Sequence, residues 1–204
     1  MACDVMHEVA LTRHPDTPAS ASAVRARVRR DSSGMLALTY FIEGDLARLR
    51  IPLKPERSMR KPLLAARLWE HTCCELFIAR AGSSGYHELN FSLSGHWAVH
   101  AFERYRESAP GSEETPEREL DTDIHVGRSG SQLELDVRIR LSGLASAHAV
   151  APLSLALAAV LEASDGSLSY WALHHPPGRP DFHHPDGFAL EVAGCALPSA
   201  RMPA

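Results

Sequence analysis

From Ala23 to Arg29 apolar and charged residues alternate without a break, and Met35 to Glu43 (MLALTYFIE) is a β-branched and aromatic run. Between them lies Asp31-Ser32-Ser33-Gly34, a turn sequence, so the pattern predicts a β-hairpin. Glu43-Gly44-Asp45 is a second turn signal, and Leu46 to Leu53 is expected to return as a strand with Pro52 near its end, where a missing N–H does least harm. Lys54 to Arg67 contains two prolines and shows no sustained period, which predicts a long loop with one helical turn at Leu63 to Arg67. Strands follow at Thr72 to Arg80, Tyr86 to Leu93 and Trp97 to Arg104, separated by the turns Ala81 to Gly85 and Ser94-Gly95.

Glu107 to Asp121 is polar, acidic and proline-containing and reads as a solvated excursion. Gln132 to Arg140 then alternates again, with Leu133, Leu135, Val137 and Ile139 inward. Leu153 to Ala163 has the composition of either helix or strand. Its Leu153, Leu155, Leu157 spacing and the Asp165-Gly166 turn into Leu168 to Leu173 favour a hairpin, and Phe188 to Val192 supplies a last strand. Many short strands with evenly spaced turns predict an all-β fold, a single-domain antiparallel β-sandwich over residues 1–204 with its core at about 23–193.

The strand Tyr86 to Leu93 also carries the first functional signal. Period-two geometry sends Leu89, Phe91 and Leu93 to one face and Tyr86, Glu88, Asn90 and Ser92 to the other. The second face is polar but has no Lys or Arg, which suits a neutral polyhydroxy ligand better than an anion. A half-exposed outer sheet face would show the same alternation. Composition narrows the partners further: a net charge of -4 offers no field for nucleic acid or an anionic membrane surface, and no apolar window is long enough to span a bilayer. Cys3, Cys73, Cys74 and Cys195 are too scattered for a disulfide scaffold, so reduced thiols and a cytoplasmic location are expected, the N-terminal residues lacking signal-peptide character.

Three tryptophans are the aromatic candidates. Trp97 opens a strand that alternates through Val99 and Ala101 and reads as core. Trp69 and Trp171 adjoin irregular loops, so both could stand at one end of a sandwich and offer ring faces to the C–H groups of a sugar, with Glu75, Glu88 and Asn90 meeting its hydroxyls. His174 and His175 would then belong to the wall beside Trp171. Core packing is the competing reading for either ring. Two carboxylates also permit a glycosidase, but nothing in the sequence fixes their separation.

The segment His174 to Gly187 (HHPPGRPDFHHPDG) is rich in possible metal ligands, and 12 histidines in 204 residues is a high count. Its spacing matches no metal motif, so a metal-dependent enzyme built on this cluster is a third reading behind ligand binding, and no metal residue is assigned. Met59 with His174 is a possible axial pair for a non-covalent b-type heme, no covalent attachment motif being present. Cys73 and Cys74 lie in an apolar strand and read as buried thiols, not nucleophiles.

Leu68-Trp69-Glu70-x-Thr72-Cys73-x-Glu75-x-Phe77, Tyr86-x-Glu88-x-Asn90-x-Ser92-x-x-Gly95-x-Trp97, Tyr105-Arg106, His174-His175-Pro176, Pro180-Asp181-Phe182-His183 and Gly187-Phe188 together resemble bacterial DOMON-like proteins related to the family 9 carbohydrate-binding module. The resemblance spans about residues 25–193. It implies a β-sandwich that binds a sugar or heme without catalysing a reaction and without a required cofactor, with room for a partner enzyme that uses the bound ligand. It places the aromatic clamp on Trp69 and Trp171, the polar contacts on Glu75, Glu88 and Asn90, and, for the heme-binding branch, the axial ligands on Met59 and His174. The calcium-binding carboxylates of some sugar-binding modules have no counterpart here.

Overall fold

The protein was analysed as a computed structural model, which describes residues 4–51, 67–110 and 122–195. In chain order the strands are β1 (Met6–Arg13), β2 (Ala23–Arg30), β3 (Met35–Glu43), β4 (Cys73–Arg80), β5 (Tyr86–Ser92) and β6 (Trp97–Arg104). After the two-residue β7 (Glu107–Ser108) come β8 (Thr122–Ser129), β9 (Gln132–Arg140), β10 (Leu153–Glu162), β11 (Leu168–Ala172) and β12 (Leu190–Val192). All pairings are antiparallel, and the hydrogen-bonded path runs β7-β6-β5-β4-β10-β11-β1-β2-β3-β9-β8, with β12 beside the start of β10.

This path folds into two facing layers. Val24, Ala26 and Val28 of β2, Leu36, Leu38, Tyr40 and Ile42 of β3 and the inward leucines of β9 meet Cys74, Leu76 and Ile78 of β4, Leu89 and Phe91 of β5 and Leu155 and Leu157 of β10 in one buried cluster. The alternation in each strand therefore decides which side chains enter the space between the layers. The Tyr40 hydroxyl crosses that space and donates to the Glu75 carbonyl at 2.5 Å. β1 joins the layers: Met6 to Leu11 pair with β2, whereas Thr12 and Arg13 pair with Ala172 and Trp171 of β11. One end is closed by Arg30, fully buried, whose guanidinium donates to the carbonyls of Ala151, Ala193 and His148 at 2.7 to 3.0 Å.

The expected β2–β3 and β10–β11 hairpins form, and the turn into β3 places Gly34 at φ 79, a backbone conformation that side chains with a Cβ rarely adopt. One expectation fails and two strands go unforeseen. Leu46 begins no strand: the Asp45 carboxylate accepts from the Ala47 N–H and starts a 3-10 turn, after which only a single bridge from Leu49 to Ala163 forms. β1 was not foreseen, because Met6, Glu8 and Ala10 face solvent without a polar pattern and only Val9 and Leu11 mark its inner face. β8 was missed because its Gly127 and its exposed polar residues blur the alternation of an edge strand. Among the described residues no helix is long and apolar enough to cross a membrane.

Candidate functional site

The face of the β4–β5–β6 layer that points away from the shared core carries the unusual residues. Register sets Glu75 opposite Asn90, and Glu88 between Phe77 of β4 and His100 of β6. Side chains on this face are not solvated: Tyr86, Glu88, Asn90 and Ser92 are buried. The chain after β11 covers them, with Phe182 and Phe188 packed on a small cluster of Phe77, Tyr86, Ala156, Ala158 and Ala172. An outward face that reads as exposed in the sequence is thus the floor of a roofed recess.

The recess holds a cavity of about 380 Å³ whose lining includes Trp69, Glu75, Glu88, His100, Tyr170 and His183, a size ordinary for small-molecule sites. Trp69 lies in a 3-10 turn (Leu68–Glu70), 39% exposed, with its ring edge-on to His100 at 5.8 Å. Tyr170 comes from β11, four strands across the sheet path from His100, with Phe182 beside it at 6.0 Å. The aromatic rings therefore approach the carboxyl floor from two sides.

Glu75 is only 3% exposed, and its Oε1 has no hydrogen-bond partner. Burial, with Glu88 as a neighbouring like charge, pushes its carboxyl well above the usual carboxylate range. Glu88 is also raised by burial, although the Asn90 amide donating to its Oε1 at 2.8 Å works against that. His183 sits with Nδ1 2.8 Å from the Tyr86 hydroxyl and Nε2 3.6 Å from Glu88 Oε2. The Tyr86 oxygen also accepts the Arg106 N–H at 3.2 Å. Burial and the Arg106 charge push His183 down to about 4, so it is neutral at physiological pH.

Arg106 has a left-handed backbone, φ 56, the one such non-glycine among the described residues, and this bends the β6–β7 connection over the cavity. Its guanidinium binds Asp181 at 2.8 Å while the Tyr105 hydroxyl donates to the other carboxylate oxygen at 2.7 Å. Partial burial raises the Asp181 carboxyl, but these hydrogen bonds outweigh it and hold the group below the usual range.

Of the residues singled out from the sequence, Trp69, Glu75 and Glu88 line the cavity, and Asn90 lies beneath it, fully buried against Glu88. Trp171 does not. It lies opposite Ala159 on the core-facing side of β10–β11, 6% exposed, with its indole N–H donated to Ser169 Oγ at 3.1 Å, so the strand itself stands between this ring and the cavity. His174 is exposed and outside the lining. His175 is a tether: its Nε2 meets the Thr12 carbonyl at 2.8 Å and its ring stands edge-on to His14 at 4.9 Å. Met59 lies outside the described residues. His175, His183 and His184 go to separate partners, and no group of three or more possible metal ligands occurs among the described residues. Trp97 packs against the core as expected, and Cys73 and Cys74 are buried free thiols.

No protein-family model and no curated protein sequence matches the chain. Among solved structures it is similar to a candidate carbohydrate-binding protein from Bacteroides uniformis, at 16% identity and a TM-score of 0.62, covering 90% of this chain and 84% of that one. The two share a fold. A family 9 carbohydrate-binding module from Caldicellulosiruptor kristjanssonii, solved in complex with cellotriose, is a more distant neighbour at 9% identity and a TM-score of 0.49, covering 95% of this chain and 88% of the module.

His100, Tyr170, His183 and Arg106 also line the cavity; none was assigned to the site from the sequence, although Arg106 and His183 stand in the motifs of the resemblance. Tyr170 was one residue away: the run Leu168 to Leu173 offers Tyr170 to one face and Trp171 to the other, and only register with β10 decides between them.

Proposed function

We propose that this protein is a non-catalytic saccharide-binding protein whose cavity receives a sugar ring between Trp69 and Tyr170, over Glu75 and Glu88. The observation that carries this reading is the unpartnered Oε1 of buried Glu75, in a cavity lined by aromatic rings. A buried carboxyl oxygen without a partner is costly in the folded chain alone, and a hydroxyl-bearing ligand would relieve it. Aromatic surface beside convergent polar groups is what a pyranose requires, since its ring faces are C–H rich and its rim is hydroxylated. The fold shared with a candidate carbohydrate-binding protein agrees with this assignment. His183, held neutral, adds a donor or acceptor without adding a charge that would repel or trap an ionic ligand.

Titration calorimetry against a panel of mono- to tetrasaccharides tests the reading. Binding that Trp69→Ala and Tyr170→Ala each weaken at least tenfold is the expected result, with folding of both variants checked by thermal melting. Binding that is unaffected by either substitution moves the site elsewhere, and no binding across the panel ends the saccharide assignment.

A further inference from the structure

The carboxyl groups around the cavity outnumber the cations. Glu75 and Glu88 form the floor and Asp181 stands at the rim, whereas the described lining contributes one permanent cation, Arg106, already bonded to Asp181 at 2.8 Å. His183 is pushed down to about 4 and supplies no compensating charge near neutrality. Glu88 has the Asn90 amide at 2.8 Å and His183 Nε2 at 3.6 Å, but Glu75, nine-tenths buried and part of the cavity lining, has an Oε1 with no hydrogen-bond partner. Burial and the neighbouring Glu88 hold the Glu75 carboxyl above the usual range in the free protein, and a cation brought by a ligand would offset both effects and favour the carboxylate. Trp69, Tyr170, Phe102 and Phe182 add aromatic surface, which favours a cation as well as a sugar face.

We propose that the saccharide held in this cavity bears a protonated amine, an amino sugar whose ammonium group is seated on Glu75 beside Glu88. This deepens the saccharide reading and rests on it. An ammonium carries three donors on one atom, enough to meet Glu75 Oε1 and a Glu88 oxygen together. Acetylating the amine removes the charge and two of those donors while keeping the sugar.

The experiment compares three trisaccharides of one linkage by calorimetry near neutral pH, built from glucose, glucosamine or N-acetylglucosamine. Glucosamine trisaccharide binding at least tenfold tighter than both others is the expected result, and Glu75→Gln should reduce that preference to within about twofold. Because the comparison is made on the ligand, it needs no folded variant. Neutral or acetylated trisaccharides binding as well as the amine would overturn the proposal and leave the saccharide reading standing. Absence of binding by all three, with the wider panel also silent, would overturn both, and a preference that survives Glu75→Gln would overturn the seating on Glu75.

Discussion

Replacing His183 with Gln should make the protein less sensitive to acid. In the folded chain burial, reinforced by the Arg106 charge, pushes His183 from 6.5 down to about 4, and its side chain is only 15% exposed. The unfolded chain therefore binds a proton that the folded chain refuses between these two values. Stability supplied by the neutral imidazole is fully present above about 6.5 and is lost as pH falls toward 4. At about 1.36 kcal/mol for each pKa unit, the complete loss is roughly 3 kcal/mol, of which about 2.5 kcal/mol has gone by about pH 4.5. Glu75 and Glu88 act in the opposite sense, since burial raises both and their contribution declines as pH rises, but they are common to wild type and variant. Gln keeps a polar group for the Tyr86 hydroxyl and does not titrate. Urea midpoints at about pH 7 and about pH 4.5 should show the wild type losing roughly 2 to 3 kcal/mol more than the variant over that interval. Equal losses in the two proteins would refute the claim that His183 is buried in its neutral form.

Trp171→Ala should cost about 3 to 5 kcal/mol of stability through the cavity it leaves between the layers, and chemical denaturation measures it; an unaltered midpoint would show that the ring is not core. Arg30→Met should cost at least about 3 kcal/mol, because three inward carbonyls lose a charged donor, and a loss below about 1 kcal/mol would mean that water replaces it.

The strands whose alternation survives in the sequence, β2, β3, β5 and β9, are legible because one face of each packs on the shared core. β1 and β8 are not, since their exposed residues offer little contrast with loop composition. For the site the limit is different in kind. Glu75 could be picked out because a carboxylate in the otherwise apolar β4 is conspicuous, Glu88 because it falls on the alternating polar face of β5, and Trp69 because it borders a loop. His183 and Arg106 reach the cavity only through long-range packing of the tail and a strained turn after β6, neither of which has a local period. The choice of Trp171 over Tyr170 shows the same limit at the scale of one residue: the pattern identifies two opposite faces, and the partner strand decides which one is inside.

The strand that belongs to both layers also fixes an order of events during synthesis. β1 leaves the ribosome before β2 and long before β11, yet Thr12 and Arg13 find their partners in Ala172 and Trp171. Its first half can pair with β2 as soon as that strand is made, but the seam joining the layers, with the His175 tether on Thr12, closes only once β11 and His175 have been made. Until β4 and β5 follow, the apolar inner faces of β2 and β3 have no opposite layer to cover them, and the late closure of the seam is a long-range step that slows folding and exposes the nascent chain to aggregation.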